Sequence, residues 1–380
     1  MMLTAHELNL ATELRHAIHQ YPDLSHEEAP TMQRITAFLQ EHTRLEVHQM
    51  GAWMYAVYRS GNDAPGIALR CELDALPIED GIDAAYRSVK PGVGHKCGHD
   101  GHAATLCALA MVLERQGAPV DVYLLFQHAE EIGEGGEPCV ALVRENPIAA
   151  IYAWHNHPGM PLGMALVRDG TMYCGSKGLT FTLLGTPSHA AYPEQGNCPA
   201  RAVAEMVQAI PELTNPELWK ALVQCTVIQM DVGEPNFGTQ AYHGCLRLTI
   251  RADLQDEQDA LEVKLRALAE TLAKRDGLQL TVEECDAFPA TVNHPACAAR
   301  VRQACAKLGI PVHEIERPYR GSDDYGHLTA AIPGVIFELG SGETCPEIHT
   351  EEFDFPDALI PRGAEILYQL VQMQEESHAV

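Results

Sequence analysis

The chain has 380 residues, 46% of them hydrophobic and 21% charged, with a formal net charge of −26 at pH 7. That length exceeds what a single compact core organises and predicts two domains. The acidic balance excludes partners bound through a phosphate backbone or an anionic membrane surface, so neither nucleic acid nor a membrane is expected.

Met-Met-Leu-Thr-Ala-His-Glu at the start lacks the basic and apolar regions of an export signal. Twelve cysteines are scattered with no Cys-x-x-Cys pair, which fits reduced thiols and a cytoplasmic setting. The longest uncharged stretch near membrane length, residues 146–167, holds three prolines, two glycines and two histidines. It does not read as a membrane span.

In chain order, Thr4-Ala-His-Glu7 reads as a capping box opening a helix with Leu8, Leu10, Leu14 and Ile18. A second helix is predicted from about Pro30, then strands over 53–59 and 66–71, the second running on to Glu72-Leu-Asp74. His95-Lys-Cys-Gly-His-Asp-Gly-His102 follows, with Ala103, Leu106, Leu109, Ala110 and Leu113 at helical spacing directly after it. Five donor groups in eight residues, set on a turn at a helix N-terminus, exceed what capping needs. Thiolate beside imidazole suits zinc and its neighbours, on one ion or bridging two.

Residues 122–127 form an apolar strand ending at His128-Ala-Glu130-Glu131, and 148–154 another ending at His155-Asn-His157. Strands alternating with helices predict an α/β domain with a mostly parallel central sheet. After about residue 170 the pattern becomes strand (179–184), helix (199–210), strands (224–230 and 245–252), helix (254–274) and strand (278–282). That order is a ferredoxin-like α+β split arrangement, compact enough to be a domain inserted over 171–288. A helix (295–308), a strand (334–339) and a closing helix (357–374) return the chain to the first domain, which therefore spans 1–170 and 289–380.

In open α/β sheets ligands bind beyond the carboxyl ends of the strands. Those ends carry Asp74, Glu130, Glu131 and His155, with His349 one loop beyond the last strand. Adjacent glutamates after a buried strand place like charges together, which a cation relieves. The pair can also divide labour, one ligating metal and the other taking a proton from an activated water.

At this point the chain resembles the aminoacylase/carboxypeptidase family of two-metal hydrolases, in the subgroup of hippurate hydrolases and auxin-conjugate amidohydrolases. The resemblance rests on Arg70-Cys-Glu-Leu-Asp-Ala-Leu-Pro-Ile78, Gly94-His-Lys-Cys-Gly-His-Asp-Gly-His102, Ala129-Glu-Glu131 and His155-Asn-His-Pro158. It continues through Ser188-His-Ala-Ala-Tyr-Pro193, Gly321-Ser-Asp-Asp-Tyr325 and His349-Thr-Glu-Glu-Phe-Asp354, and covers nearly the whole chain. It implies Cys97, His99, Glu131, His155 and His349 as ligands of two divalent transition-metal ions, zinc or manganese first, then cobalt or nickel. It further implies Glu130 as general base and Asp74 as the residue that orients a ligating imidazole. His189 would stabilise the oxyanion in a neighbouring subunit of a homodimer or higher oligomer, and Asn236 and Arg251 would meet the substrate carboxylate. Read on its own, an Arg at position 251 on a strand is a surface ion-pair partner.

The implied activity is amide hydrolysis of N-acyl amino acids, with a dipeptidase or carboxypeptidase as the alternative at the same site. Two readings from other classes are a thiol amidase with Cys97 activated by His99, and a non-catalytic metal-binding protein. The chain departs from the subgroup at His128, where proline is usual, at Lys96, where a small or apolar residue is common, and at Asp323-Asp324-Tyr325, which replaces Glu-Asp-Phe. These departures bear on the substrate pocket. His6, His16, His19, His42, His48 and His378 read as solvated, and His95 and His102 as hydrogen-bonded to backbone in the turn.

Overall fold

A computed structural model of the chain describes residues 2–374. Helices α1 (Ala5–Gln20) and α2 (Ala29–His42) precede strands β1 (Glu46–Gln49), β2 (Met54–Tyr58) and β3 (Gly66–Glu72). Then come α3 (His99–Gln116), β4 (Val122–Gln127), α4 (Gly136–Glu145), β5 (Ile148–His157), β6 (Ala165–Val167) and β7 (Gly170–Tyr173). The next run is β8 (Gly175–Leu184), α5 (Ala200–Leu213), β9 (Val223–Val232), β10 (His243–Ala252), α6 (Gln255–Asp276) and β11 (Gln279–Phe288). The chain closes with β12 (Thr291–Asn293), α7 (Pro295–Leu308), β13 (Val312–Glu314), α8 (Gly326–Ala331), β14 (Gly334–Gly340) and α9 (Leu359–Gln372).

Among the described residues two compact units result: one up to Met172 with Val292–Arg317 and the residues from Asp323 on, the other Tyr173–Thr291 with Pro318–Ser322. The first holds an eight-stranded sheet in the order β1-β2-β4-β3-β5-β14-β6-β13. Its centre, β4-β3-β5-β14, is parallel, and β3 and β4 are buried at every position, as strands covered on both faces must be. Helix α3 is buried from His99 to Leu113. It is apolar all round because it packs against β3 as well as α1 and α9. Leu106, Leu109, Val112 and Leu113 are completely buried there, each contributing roughly 1.5–3 kcal/mol. The Thr4 capping box is present, with Thr4 accepting from the Glu7 amide and Glu7 accepting from the Thr4 amide.

The second unit is a four-stranded antiparallel sheet, β11-β8-β10-β9, with the order β-α-β-β-α-β along the chain. Its core joins Phe181, Leu246 and Ile250 of the sheet to Val203 and Met206 of α5 and Leu261 and Leu265 of α6. Pro318–Ser322 groups with this unit because Arg251 donates to the Arg320 carbonyl oxygen and to the Ser322 hydroxyl.

Several elements were not anticipated: β1, β6, β7, β12, β13 and α8 are six residues or shorter, and α4 follows a glycine-rich stretch that reads as loop. Three histidine expectations are corrected. His95, expected to bond backbone in the turn, is buried with neither ring nitrogen hydrogen-bonded. His19 is completely buried, with Nδ1 2.8 Å from Asp100 and Nε2 3.1 Å from Asp80. His102 bonds side chains rather than backbone, lying 2.8 Å from both Glu72 and Asn156. His378 lies outside the described residues, among which no helix is long and apolar enough to cross a membrane.

Candidate metal centre

From β3 the chain moves to one neighbour, β4, and then to the other, β5. The crevice opened by that reversal is where strand carboxyl ends gather. Asp74 follows the end of β3, Glu130 and Glu131 follow β4, and His155 lies near the end of β5. The turn 95–98 leads directly into α3, whose first residue is His99, and His349 sits on the segment between β14 and α9.

The glycines of the turn are required by close approach. Gly98 has φ 108°, and a Cβ there would stand 2.0 Å from Asn156 Oδ1; one on Gly101 would stand 2.4 Å from the Phe355 ring. With no side chain at either position, the turn seats on β5 and Cys97 Sγ comes within 3.3 Å of His155 Nε2.

Hydrogen bonds set the tautomers. His99 Nδ1 lies 2.9 Å from the Asp74 carbonyl oxygen, and His155 Nδ1 2.9 Å from that of Asn156. A carbonyl only accepts, so each Nδ1 carries a proton and Nε2 is the nitrogen left to meet a cation. Against the effect of burial, Asp74, Glu72 and Glu131 raise His99 to about 10 where no cation is bound, and a cation takes the place of the Nε2 proton. Asp74 is braced in turn by the Ser25 hydroxyl at 2.8 Å and the Glu131 amide at 2.9 Å.

The donors form two sets that share one thiol. Cys97, His99 and His155 are one; Cys97, Glu131 and His349 are the other, with ligand atoms in each set within 4.8 Å of one another. Donors on a tetrahedral ion at metal–ligand distances of 2.0–2.3 Å stand about 3.3–3.8 Å apart. The 3.3 Å between Cys97 and His155, and the 3.5 Å between His349 Nε2 and Glu131 Oε2, both fit. His99 Nε2 and Glu131 Oε1, one from each set, are buried without a hydrogen-bond partner, a costly condition that a cation in each set removes. The residues present therefore fit a pair of transition-metal ions.

Electrostatics point the same way. Burial and the neighbouring Asp323 and Glu131 push the Glu130 carboxyl well above the usual carboxylate range. Burial raises Glu131 to about 7, His99 lowering it and Asp74 raising it. Burial, with Glu131 and Glu130 nearby, also drives the Cys97 thiol well up. A thiol held protonated is a poor nucleophile, which speaks against Cys97 as an amidase nucleophile, whereas a cation inverts this balance and favours thiolate and carboxylate together.

Glu130 lies outside the two sets that share Cys97; its carboxylate is 3.9 Å from His99 Nε2 and groups both with His99 and Glu131 and with Asp323 and Asp324. Ala129, just before it, has φ 47°. Beneath it lies a buried network that the sequence reading did not pick out. Arg70 pairs with Glu72, donates to Asp323 at 3.0 and 3.2 Å and to Asp324 at 3.1 Å, and reaches Gln127 at 3.0 Å. Asp324 also accepts from the Gly135 and Gly136 amides at 3.0 and 2.6 Å, fixing the loop that carries the glutamate pair. A signal existed: Arg70 and Glu72 are charged residues two apart in an otherwise apolar strand. The Asp323-Asp324-Tyr325 departure thus falls in a buried ion network, where Tyr325 donates its hydroxyl to the Val335 carbonyl oxygen at 3.3 Å. Lys96 and His128, the other departures, are buried.

The inserted unit carries the remaining candidates. His189 is exposed, with Nδ1 accepting from the Ala191 amide at 3.0 Å, so the proton of the neutral ring lies on the outward Nε2. Its segment runs antiparallel to 238–240, through Ala190 to Gly238 and Gln240 to Ser188. Asn236, close by in sequence to that pairing, accepts from Gly238 at 3.0 Å and lines an open cavity of about 720 Å³ with Asp231, Thr239, Tyr242 and His243. Arg251 donates to the carbonyl and hydroxyl oxygens given above.

Comparison with known proteins converges on one family. N-acetylcysteine deacetylase of Bacillus subtilis (strain 168) is 27% identical over 365 residues, covering 94% of each chain. The crystal structure of the Bacillus subtilis YXEP protein, described as a dinuclear metal-binding peptidase, superposes with a TM-score of 0.84 at 22% identity, covering 98% of this chain and 99% of the other. That of an aminobenzoyl-glutamate utilization protein from Klebsiella pneumoniae gives 0.74 at 17% identity, covering 98% of each. At these identities the two structures speak to the fold alone. The sequence profile of peptidase family M20/M25/M40 matches residues 68–373, from β3 to the end of α9, and the chain belongs to that family as a metal-dependent amide hydrolase.

Proposed function

We propose that this chain hydrolyses the amide bond of N-acyl amino acids with two divalent transition-metal ions, held by Cys97, His99, Glu131, His155 and His349. The observation that carries the reading is the pair of donor sets that share Cys97, one completed by His99 and His155 and the other by Glu131 and His349; taking Glu130 as base rather than as a further ligand is part of the proposal. When bound, such ions polarise an amide carbonyl and acidify a water. Glu130 takes the proton from that water and returns it to the leaving amine. Asp74 keeps His99 in the tautomer whose Nε2 faces the centre. Mixed sulfur, nitrogen and oxygen donors suit zinc or manganese first and cobalt or nickel next.

His189 donates from Nε2 to the oxyanion, reaching the site of a second copy in a homodimer, with the inserted unit as lid and dimerisation domain. Strand β9 at the sheet edge, exposing Ile228 and Met230, supports pairing with another chain. Arg251 and Asn236 receive the substrate carboxylate. The name of the deacetylase relative supports an acyl group on an amino acid nitrogen, and twelve free cysteines support a reducing, cytoplasmic compartment.

A turnover screen of N-acyl amino acids, after reconstitution with each of the four metals, tests the reading. Hydrolysis is expected and is abolished by chelation. Cleavage of free dipeptides alone would replace the substrate class, and turnover insensitive to chelators but blocked by thiol reagents would make Cys97 the nucleophile.

A further inference from the structure

His349 is the donor whose position no strand or helix explains. It sits between β14 and α9 at φ 62°. A residue other than glycine keeps that left-handed conformation where its surroundings over-determine it, at a cost of roughly 1–3 kcal/mol. The surroundings here come from the segment that precedes the Cys97 turn. The His349 amide donates to the Lys96 carbonyl oxygen at 2.7 Å, and the Gly81 amide to that of Glu351 at 2.9 Å. The Lys96 ammonium donates to the Phe353 carbonyl oxygen at 2.9 Å. Lys96 thus grips the segment twice, by its main chain at 349 and by its side chain at 353. Asp354, next in the chain, accepts from the Tyr86 hydroxyl at 2.7 Å and pairs with Arg15.

The side chain of Lys96 is completely buried. Its charge is balanced by Asp80, with which it forms an ion pair, and Asp80 also accepts from the Ser88 amide at 2.8 Å and faces His19 Nε2 at 3.1 Å. Burying an ammonium is expensive unless it is paired and hydrogen-bonded; here Asp80 supplies the pair and the Phe353 carbonyl oxygen, on the segment that carries His349, a hydrogen bond.

We propose that Lys96 is a positioning residue of the metal centre: its two contacts hold the 349–353 segment so that His349 stands within reach of Glu131 before any ion arrives. The inference rests on the assignment of His349 as a ligand, and the test separates the two.

Cobalt(II) is titrated into the metal-free wild type, His349→Ala, Lys96→Met and Lys96→Arg, reading the affinity for each ion and the thiolate-to-cobalt absorption band. His349→Ala is expected to lose one ion. Lys96→Met should weaken that same ion by about 10- to 100-fold, the usual effect of removing a group that holds a ligand. The other ion and its thiolate band should stay near wild type, and Lys96→Arg should recover part of the loss. Wild-type affinities in Lys96→Met, or equal weakening of both ions, overturn the proposal. Two ions bound normally by His349→Ala would instead remove the ligand assignment, and the proposal with it. Should Lys96→Met not fold, hydrogen exchange of the metal-free wild type decides. The peptide spanning 346–354 should retain a protected His349 amide, and exchange at the unprotected rate overturns the proposal.

Discussion

The turn at 95–102 and the loop at 187–193 each offer a histidine for chemistry, and they are built in opposite ways. His99 is completely buried, and its ring is held by Asp74, brought from the end of another strand. His189 is exposed, and its ring is held by the amide two residues on. The first arrangement suits a group that must meet a cation at a set distance, since desolvation and fixed partners are what make such a site selective. The second suits a group whose target lies outside its own unit, because nothing in that unit covers its outward Nε2.

The sharpest way to break this contrast lies in the glutamate pair. Glu130→Gln is expected to keep both ions and lose about 10²–10⁴ of the rate, whereas Glu131→Gln should lose metal too. Rate assays alongside metal analysis check both, and a Glu130→Gln enzyme with most of its activity would end the proposed division of labour. Next comes Arg70→Met, which leaves Glu72, Asp323 and Asp324 buried without their guanidinium. Breaking a buried ion network in this manner costs about 3–5 kcal/mol, to be read as a lowered midpoint in urea denaturation.

On the other side of the comparison, His189→Ala should lower kcat by about 10²–10³, the usual effect of removing one oxyanion donor, with metal content and urea midpoint unchanged. Mixing it with Glu130→Gln should restore activity, since one site of the mixed dimer pairs an intact Glu130 with the partner's intact His189. Mixed dimers that form, carry metal and remain inactive would refute action across subunits. The smallest effect is expected for Arg251→Met: KM up by about tenfold, near 1.4 kcal/mol, with kcat held. An unchanged KM would return Arg251 to a purely structural role, tying β10 to Ser322.

Local chemistry was legible where it was dense or periodic. The Cys-Gly-His-Asp-Gly-His run, the Glu130-Glu131 pair after an apolar strand and the Thr4 capping box all announce themselves within a few residues. The inserted β-α-β-β-α-β unit was also legible, because its strands are ten residues long and its helices amphipathic. Short strands such as β6 and β13 were not, since three residues carry too little periodicity to stand out from loop. His19 was misread for a related reason: at the last turn of a helix it looks solvated until Asp80 and Asp100 arrive from 61 and 81 residues away.

What the sequence by itself determined is the inventory: which donors exist and on which strand ends or turns they sit. That glycine must stand at 98 and 101 follows only from the packing of Asn156 and Phe355 against them. Tertiary structure alone decided how the donors combine. It set the sharing of Cys97 between two donor sets, the tautomers of His99 and His155, and the use of Lys96 and Arg70 as buried counter-ions rather than surface charges. The physical reason is range. Capping, periodicity and turn chemistry act over a few residues, whereas a buried charge takes its meaning from partners that only the packed sheet brings within 3 Å.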